Sequence, residues 1–129
     1  MIKKLIALCL MASLLAVVGC ASVQTAQKLN DQKLTTGGEV SIGNVNASNW
    51  GLYCLSIPLI SGDADNIGTV AFMKDTVNTE SVVSIATKKA KDMGASKSVD
   101  LNSYTSSFWI MPTFVLFIRS VQVSTNAVK

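Results

Sequence analysis

The sequence predicts an α+β fold: a small, mostly antiparallel sheet with one main amphipathic helix, about residues 79–93, packed on one face. Three observations carry the prediction. One window has apolar residues at spacings of three and four, several others alternate or run apolar at strand length, and a single helix among strands forms two layers. The chain has 129 residues. Without its leader roughly 110 remain, enough for one domain.

The first element is the leader. Lys3 and Lys4 precede 14 residues from Leu5 to Val18, mostly apolar, and the stretch ends Val17-Val18-Gly19-Cys20. A cationic head, an apolar middle and a small residue at the end are what a secretory signal needs, and the run falls short of the roughly 20 residues of a spanning helix. Cysteine directly after the small residue resembles the lipobox of bacterial lipoproteins. That resemblance covers residues 1–20 and implies cleavage between Gly19 and Cys20, with a diacylglyceryl group on the Cys20 sulfur. Ala21 after the modified cysteine, in place of Asp, is similar to lipoproteins destined for the outer membrane of Gram-negative bacteria. The expected partner is therefore a membrane, reached through the lipid, and the expected location is the outer membrane, facing the periplasm.

Residues 20–36 are expected to form the acylated cysteine and a flexible tether. The stretch from Ala21 to Lys33 is polar and free of aromatics, and such composition buries too little apolar surface to offset chain ordering. Residues 37–129 form the single domain. Gly37-Gly38 opens it. Val40 and Ile42, then Val45 and Ala47, alternate as a strand, but the alternation slips at Gly43-Asn44, where a bulge or tight turn is expected. Trp50 to Ile57 is a second strand, apolar on both sides and limited by Pro58. Ser61 to Asn66 has loop composition, and Thr69 to Met73 forms a short strand.

The helix spans Thr79 to Met93. Val82, Ile85, Ala86, Ala90 and Met93 fall on one stripe, with Ser84, Thr87, Lys88 and Lys91 mostly opposite. Asn78 suits the N-cap, Glu80 and the later lysines complement the helix dipole, and Gly94 suits the position after the C-cap. Ala95, Val99 and Leu101 alternate with polar residues as the next strand. Phe108 to Val123 is the most strand-like part of the chain. Pro112 calls there for a hairpin near Pro112-Thr113 or for a bulged or edge strand. Phe117, Val121 and Val123 share a face that also takes Arg119, the one arginine, for which an ion pair is the expected role.

Composition narrows the chemistry. The chain has no histidine, which removes the usual general base and metal ligand. It also lacks Ser-x-x-Lys, Gly-x-Ser-x-Gly, Cys-x-x-Cys and a phosphate-cradling glycine pattern. No catalytic residue, metal site or cofactor is assigned, and the chain is read as a non-enzyme. A small hydrolase would have to use Asp63, Asp65 or Cys54. The two aspartates have no obvious apolar wall to raise a pKa. Asp63, Asp65 and Gly68 imitate the start of a calcium loop, which then breaks at Ile67 and at Lys74. Two of the 11 basic residues belong to the leader, so the rest nearly balance the 8 acidic ones and nucleic acid is excluded as a partner. Cys54, alone once Cys9 is cleaved off and Cys20 is acylated, is expected to be buried as a small hydrophobe.

Trp50, Tyr53, Phe108, Trp109, Phe114 and Phe117 fall in two apolar segments, each punctuated by a proline. They are read as adjoining core strands or as an interaction surface. One helix covers one sheet face, so the other needs a homodimer, an envelope protein or the membrane surface. The functional expectation is an envelope-anchored lipoprotein with a binding, assembly or structural role. A carrier of a small apolar ligand held between sheet and helix is the alternative.

Overall fold

A computed structural model describes residues 3–4, 6, 21–27, 35–36, 38–110 and 115–129. Apart from Ile6 the leader's apolar run, with the Gly19-Cys20 junction, Pro112 and Phe114, lies outside the described residues. The fold is organised by one long strand. In chain order the elements are β1 (Ala21–Ala26), β2 (Thr35–Thr36), β3 (Glu39–Cys54), β4 (Ile57–Gly62), β5 (Val70–Phe72), α1 (Thr79–Asp92), β6 (Lys97–Trp109) and β7 (Leu116–Val128). They form a mostly antiparallel sheet with one helix, an α+β fold, and the sheet is large at seven strands.

The strand order is β5-β4-β3-β7-β6, with β1 and β2 also paired to β3. One side of β3 is followed by β7 from Ser41↔Val128 to Cys54↔Leu116. β1 pairs with Asn44–Asn49 and β4 with Gly51–Cys54. Three short segments thus flank one strand of 16 residues.

The second expected strand, Trp50 to Ile57, is redrawn. Trp50–Cys54 is the end of β3, Leu55-Ser56 is a two-residue turn, and Ile57 opens β4. Such a turn favours Asn-Gly, because its central residues need left-handed backbone. Leu55 adopts it with φ 54°. Pro58, the expected terminator, lies inside β4 opposite Tyr53, where the register shifts and a ladder donor is dispensable. The slip expected at Gly43-Asn44 is present as a register shift between Ser41 and Gly43.

The flexible tether is corrected over Ala21–Ala26, which forms β1 in register with β3 from Ala21↔Asn49 to Ala26↔Asn44. Its period of two was hidden by polar composition. Ala21 is buried and Val23 packs on the core, while Ser22 hydrogen-bonds Ser48 across the strands at 2.8 Å.

The helix obeys its local signals. Asn78 Oδ1 accepts from Ser81 N at 2.8 Å. At the other end Gly94 N donates to Lys91 O and Ala95 N to Ala90 O, with Gly94 at φ 88°, a Schellman closure that glycine permits without a Cβ clash. Val82, Ile85, Ala86 and Ala90 are buried against Val45, Ala47, Val121 and Val123. Residues 121, 123, 125 and 127 of β7 are buried in alternation, as the tail's periodicity predicts. β6 and β7 pair antiparallel up to Trp109↔Phe117, the hairpin alternative for the tail.

Candidate interaction surface

Because cross-strand partners share a face, the register sorts every side chain. From Gly43 onward in β3 and up to Ala127 in β7, odd-numbered residues face α1 and even-numbered ones form the open face. The six aromatic candidates do not form one patch. Tyr53, Phe117 and Trp109 make a row across three strands on the helix side, with Tyr53 and Phe117 stacked at 5.2 Å and Trp109 tilted on Phe117 at 5.1 Å. Trp50 and Phe108 belong to the open face, and Phe114 lies outside the described residues.

The open face is divided along its length. One end is polar, with rows such as Gln24–Asn46–Ser124–Asn102 and Ser22–Ser48–Gln122–Tyr104. Beyond Trp50 it becomes apolar. Phe72, Ile60, Leu52, Ile118 and Phe108 form one row through five strands, and Ile57, Cys54 and Leu116 form the next. Cys54 is a free thiol of intermediate burial in that row rather than a core residue.

Tyr53 is the buried polar group of the aromatic row. Its hydroxyl donates to Asp75 Oδ1 at 2.7 Å, and Asp75 also accepts from Val77 N at 3.3 Å. Burial first, then the bond to Asp75, pushes the phenol well above its ordinary value, with Arg119 pulling the other way. Arg119 is in neither of the ion pairs found among the described residues, Lys74–Asp65 and Lys97–Glu39. The expected ion pair is thereby corrected: the charge of Arg119 acts on Tyr53, where it favours the phenolate. A pH dependence follows. The folded chain holds the Tyr53 proton more tightly than the unfolded chain, so its stabilisation is full below about pH 10 and is lost as pH rises towards the raised folded value. Tyr53→Phe is expected to flatten that decline, read as the difference between the two proteins' urea midpoints from about pH 8 to 11. Parallel declines would exclude Tyr53 as the cause.

A buried polar cluster fixes the segment before the helix. Asn49, fully buried, donates to Gly62 O at 3.2 Å and Thr76 O at 2.9 Å. Ser61 donates to Lys74 O at 2.6 Å, and Thr76 Oγ1 to Gly62 O. These bonds hold Lys74–Val77 on the sheet and so set where α1 begins.

Asp63 accepts from Asn66 Nδ2 and from Asp65 N, which hold its carboxyl below the usual range rather than raising it as a general acid requires. Among the described residues no group of three His, Cys, Asp or Glu is placed to hold a metal. Between helix and sheet stand fully buried side chains, and a Cβ on Gly51 would lie 2.9 Å from Val77 Cγ2. An apolar ligand there would have to displace the core.

What the sequence left unnoticed is the tip beside the apolar rows. Leu55 and Ile57 on the β3–β4 turn, and Phe72 and Met73 after β5, are exposed. Their signal was present in Leu-Ser standing where a tight turn wants Asn-Gly. The outer edge of β6 is the second unnoticed surface. Its start is blunted by Lys97, by its ion pair and by a bulge at Asp100, φ 54°. From Leu101 to Trp109 it carries no charge and no proline, all nine side chains are exposed, and among the described residues β7 is its one partner.

Among the described residues no helix is long and apolar enough to cross a membrane. Comparison with protein-family models, with characterised proteins and with solved structures finds no match for this chain.

Proposed function

We propose that this protein is a non-enzymatic binding and assembly lipoprotein of the bacterial envelope. A lipid on Cys20 holds it at the outer membrane, facing the periplasm, and the free edge of β6 is its contact for a protein partner. The observation that carries the binding role is the edge from Leu101 to Trp109, which has no strand but β7 against it among the described residues. Sheet edges of soluble proteins are ordinarily blunted by charge, proline or bulges, because their unpaired donors and acceptors recruit any extended chain. Here the blunting stops at Asp100. The partner that fits is one that adds a strand, with backbone bonds giving affinity and alternate side chains such as Tyr104 and Phe108 giving selectivity. The anchor follows from the leader and the cysteine that ends it.

The test is native mass spectrometry of the full chain produced in a Gram-negative host and extracted from its outer membrane in detergent. The expected species carries a diacylglyceryl mass on Cys20 and a second polypeptide, and Ser106→Lys returns it to a single acylated chain. A wild-type protein without the acyl mass removes the anchor. An acylated single chain removes the edge as a contact.

A further inference from the structure

We infer that the apolar end of the sheet is itself seated in the membrane interface, so that the bilayer contacts the folded body as well as the anchor. This rests on the lipid-anchor reading of Cys20 and adds to it a surface and an orientation. The first argument is clustering. Leu55, Ile57, Phe72, Met73, Phe108 and Trp109 are all more than half exposed, and all lie where β3, β5 and β6 end and β4 begins. The far end of the open face is Asn, Ser and Gln, with Tyr104 its one large side chain among the described rows. Soluble monomers scatter exposed apolar residues singly, and a gathered set marks a contact.

Backbone conformation supplies the second argument. Among the described residues three non-glycine residues have left-handed φ, and two of them are tip residues, Leu55 at 54° and Met73 at 52°. Both are exposed, at 58% and 74%, so core packing does not require an apolar side chain at either place. Glycine or asparagine would relieve the backbone and suit water. Such strain points to a use for the side chain.

The third argument fixes the occupant. β1 starts at Ala21, the residue after the proposed anchor, and Ala21 pairs with Asn49. Antiparallel pairing means that the chain, followed back from Ala26 to Ala21, runs towards the apolar end. Asn49 is five residues from Cys54, about 17 Å along a strand. A lipid on Cys20, the residue before β1, would therefore leave the sheet on the side of this end. An interfacial body needs to sink only about 5–10 Å to bury such side chains.

The experiment uses the full acylated chain, reconstituted in vesicles of phosphatidylethanolamine and phosphatidylglycerol with plain or brominated acyl chains. Tryptophan emission is read, and intact mass is measured on the same sample. Trp50→Phe leaves Trp109 as the reporter, and wild type serves if that variant does not fold. Emission is expected to fall at least about twofold on brominated lipid, since bromine quenches only rings at acyl depth. Leu55→Ser with Met73→Ser is expected to lessen the quenching while the acyl mass remains. An acylated protein whose emission ignores bromine overturns this inference alone and assigns the tip to a protein contact. A protein lacking the acyl mass overturns the anchor, and this inference with it.

Discussion

Asn49→Asp is expected to cost the fold about 3–5 kcal/mol, the loss that follows when a charge is buried without a partner. Asn49 is fully buried, and its amide donates to two carbonyls, Gly62 O and Thr76 O. A carboxylate at the same place would set negative oxygen against both acceptors. A protonated carboxyl has one hydrogen and satisfies one of them. The folded variant must therefore hold its proton above the ordinary aspartate value. Its deficit is smallest below about pH 4 and grows as pH rises. Asn49→Ala takes the amide donor from Thr76 O without adding charge, while Gly62 O keeps the Thr76 hydroxyl, at about 1–3 kcal/mol. Urea midpoints at two pH values check both. An aspartate variant as stable as the parent at neutral pH would mean that the amide's bonds do not hold the segment before α1.

Gly51→Ala comes next, with an expected loss of about 1–3 kcal/mol. Ordinarily a strand glycine gains from alanine, which restricts the unfolded chain. Here the new methyl would stand 2.9 Å from Val77 Cγ2 and 3.0 Å from Ile60 O. Val77 is fully buried and short, so it cannot swing away, and Ile60 O belongs to the strand backbone. Relief requires lifting the segment before α1 or loosening β4. Thermal denaturation gives the answer, and an increase in Tm would show that Val77 moves freely.

Both predictions concern a junction that single-sequence reasoning did not see, and the reason is physical. The helix was legible because its determinants are local: Asn78 before it, a stripe from Val82 to Ala90, and Gly94 behind. The Asn49–Thr76 and Tyr53–Asp75 bonds join residues more than twenty positions apart, which no window spans. β1 was hidden for a related reason. Ser22 and Gln24 look like linker residues until a polar sheet face is present to receive them. Pro58 drew the strand boundary to the wrong side of the turn, because a leucine held the left-handed place where glycine or asparagine is the usual signal. The division of the aromatic set was within reach. Phe108 and Trp109 are adjacent in a strand and must point to opposite faces, as must Trp50 and Tyr53 at an odd separation.

The central strand has a further consequence, in the order of events along the growing chain. β3 is complete by residue 54, yet β7, its longest partner, consists of residues 116–128. The face of β3 that α1 covers is completed by Val121, Val123 and Ala127. Until those are made, neither the helix nor the central strand has a finished surface to close upon. Closing so long a loop is the slow part of folding such a topology. The polypeptide therefore remains without its core until β7 has been made, long after the central strand.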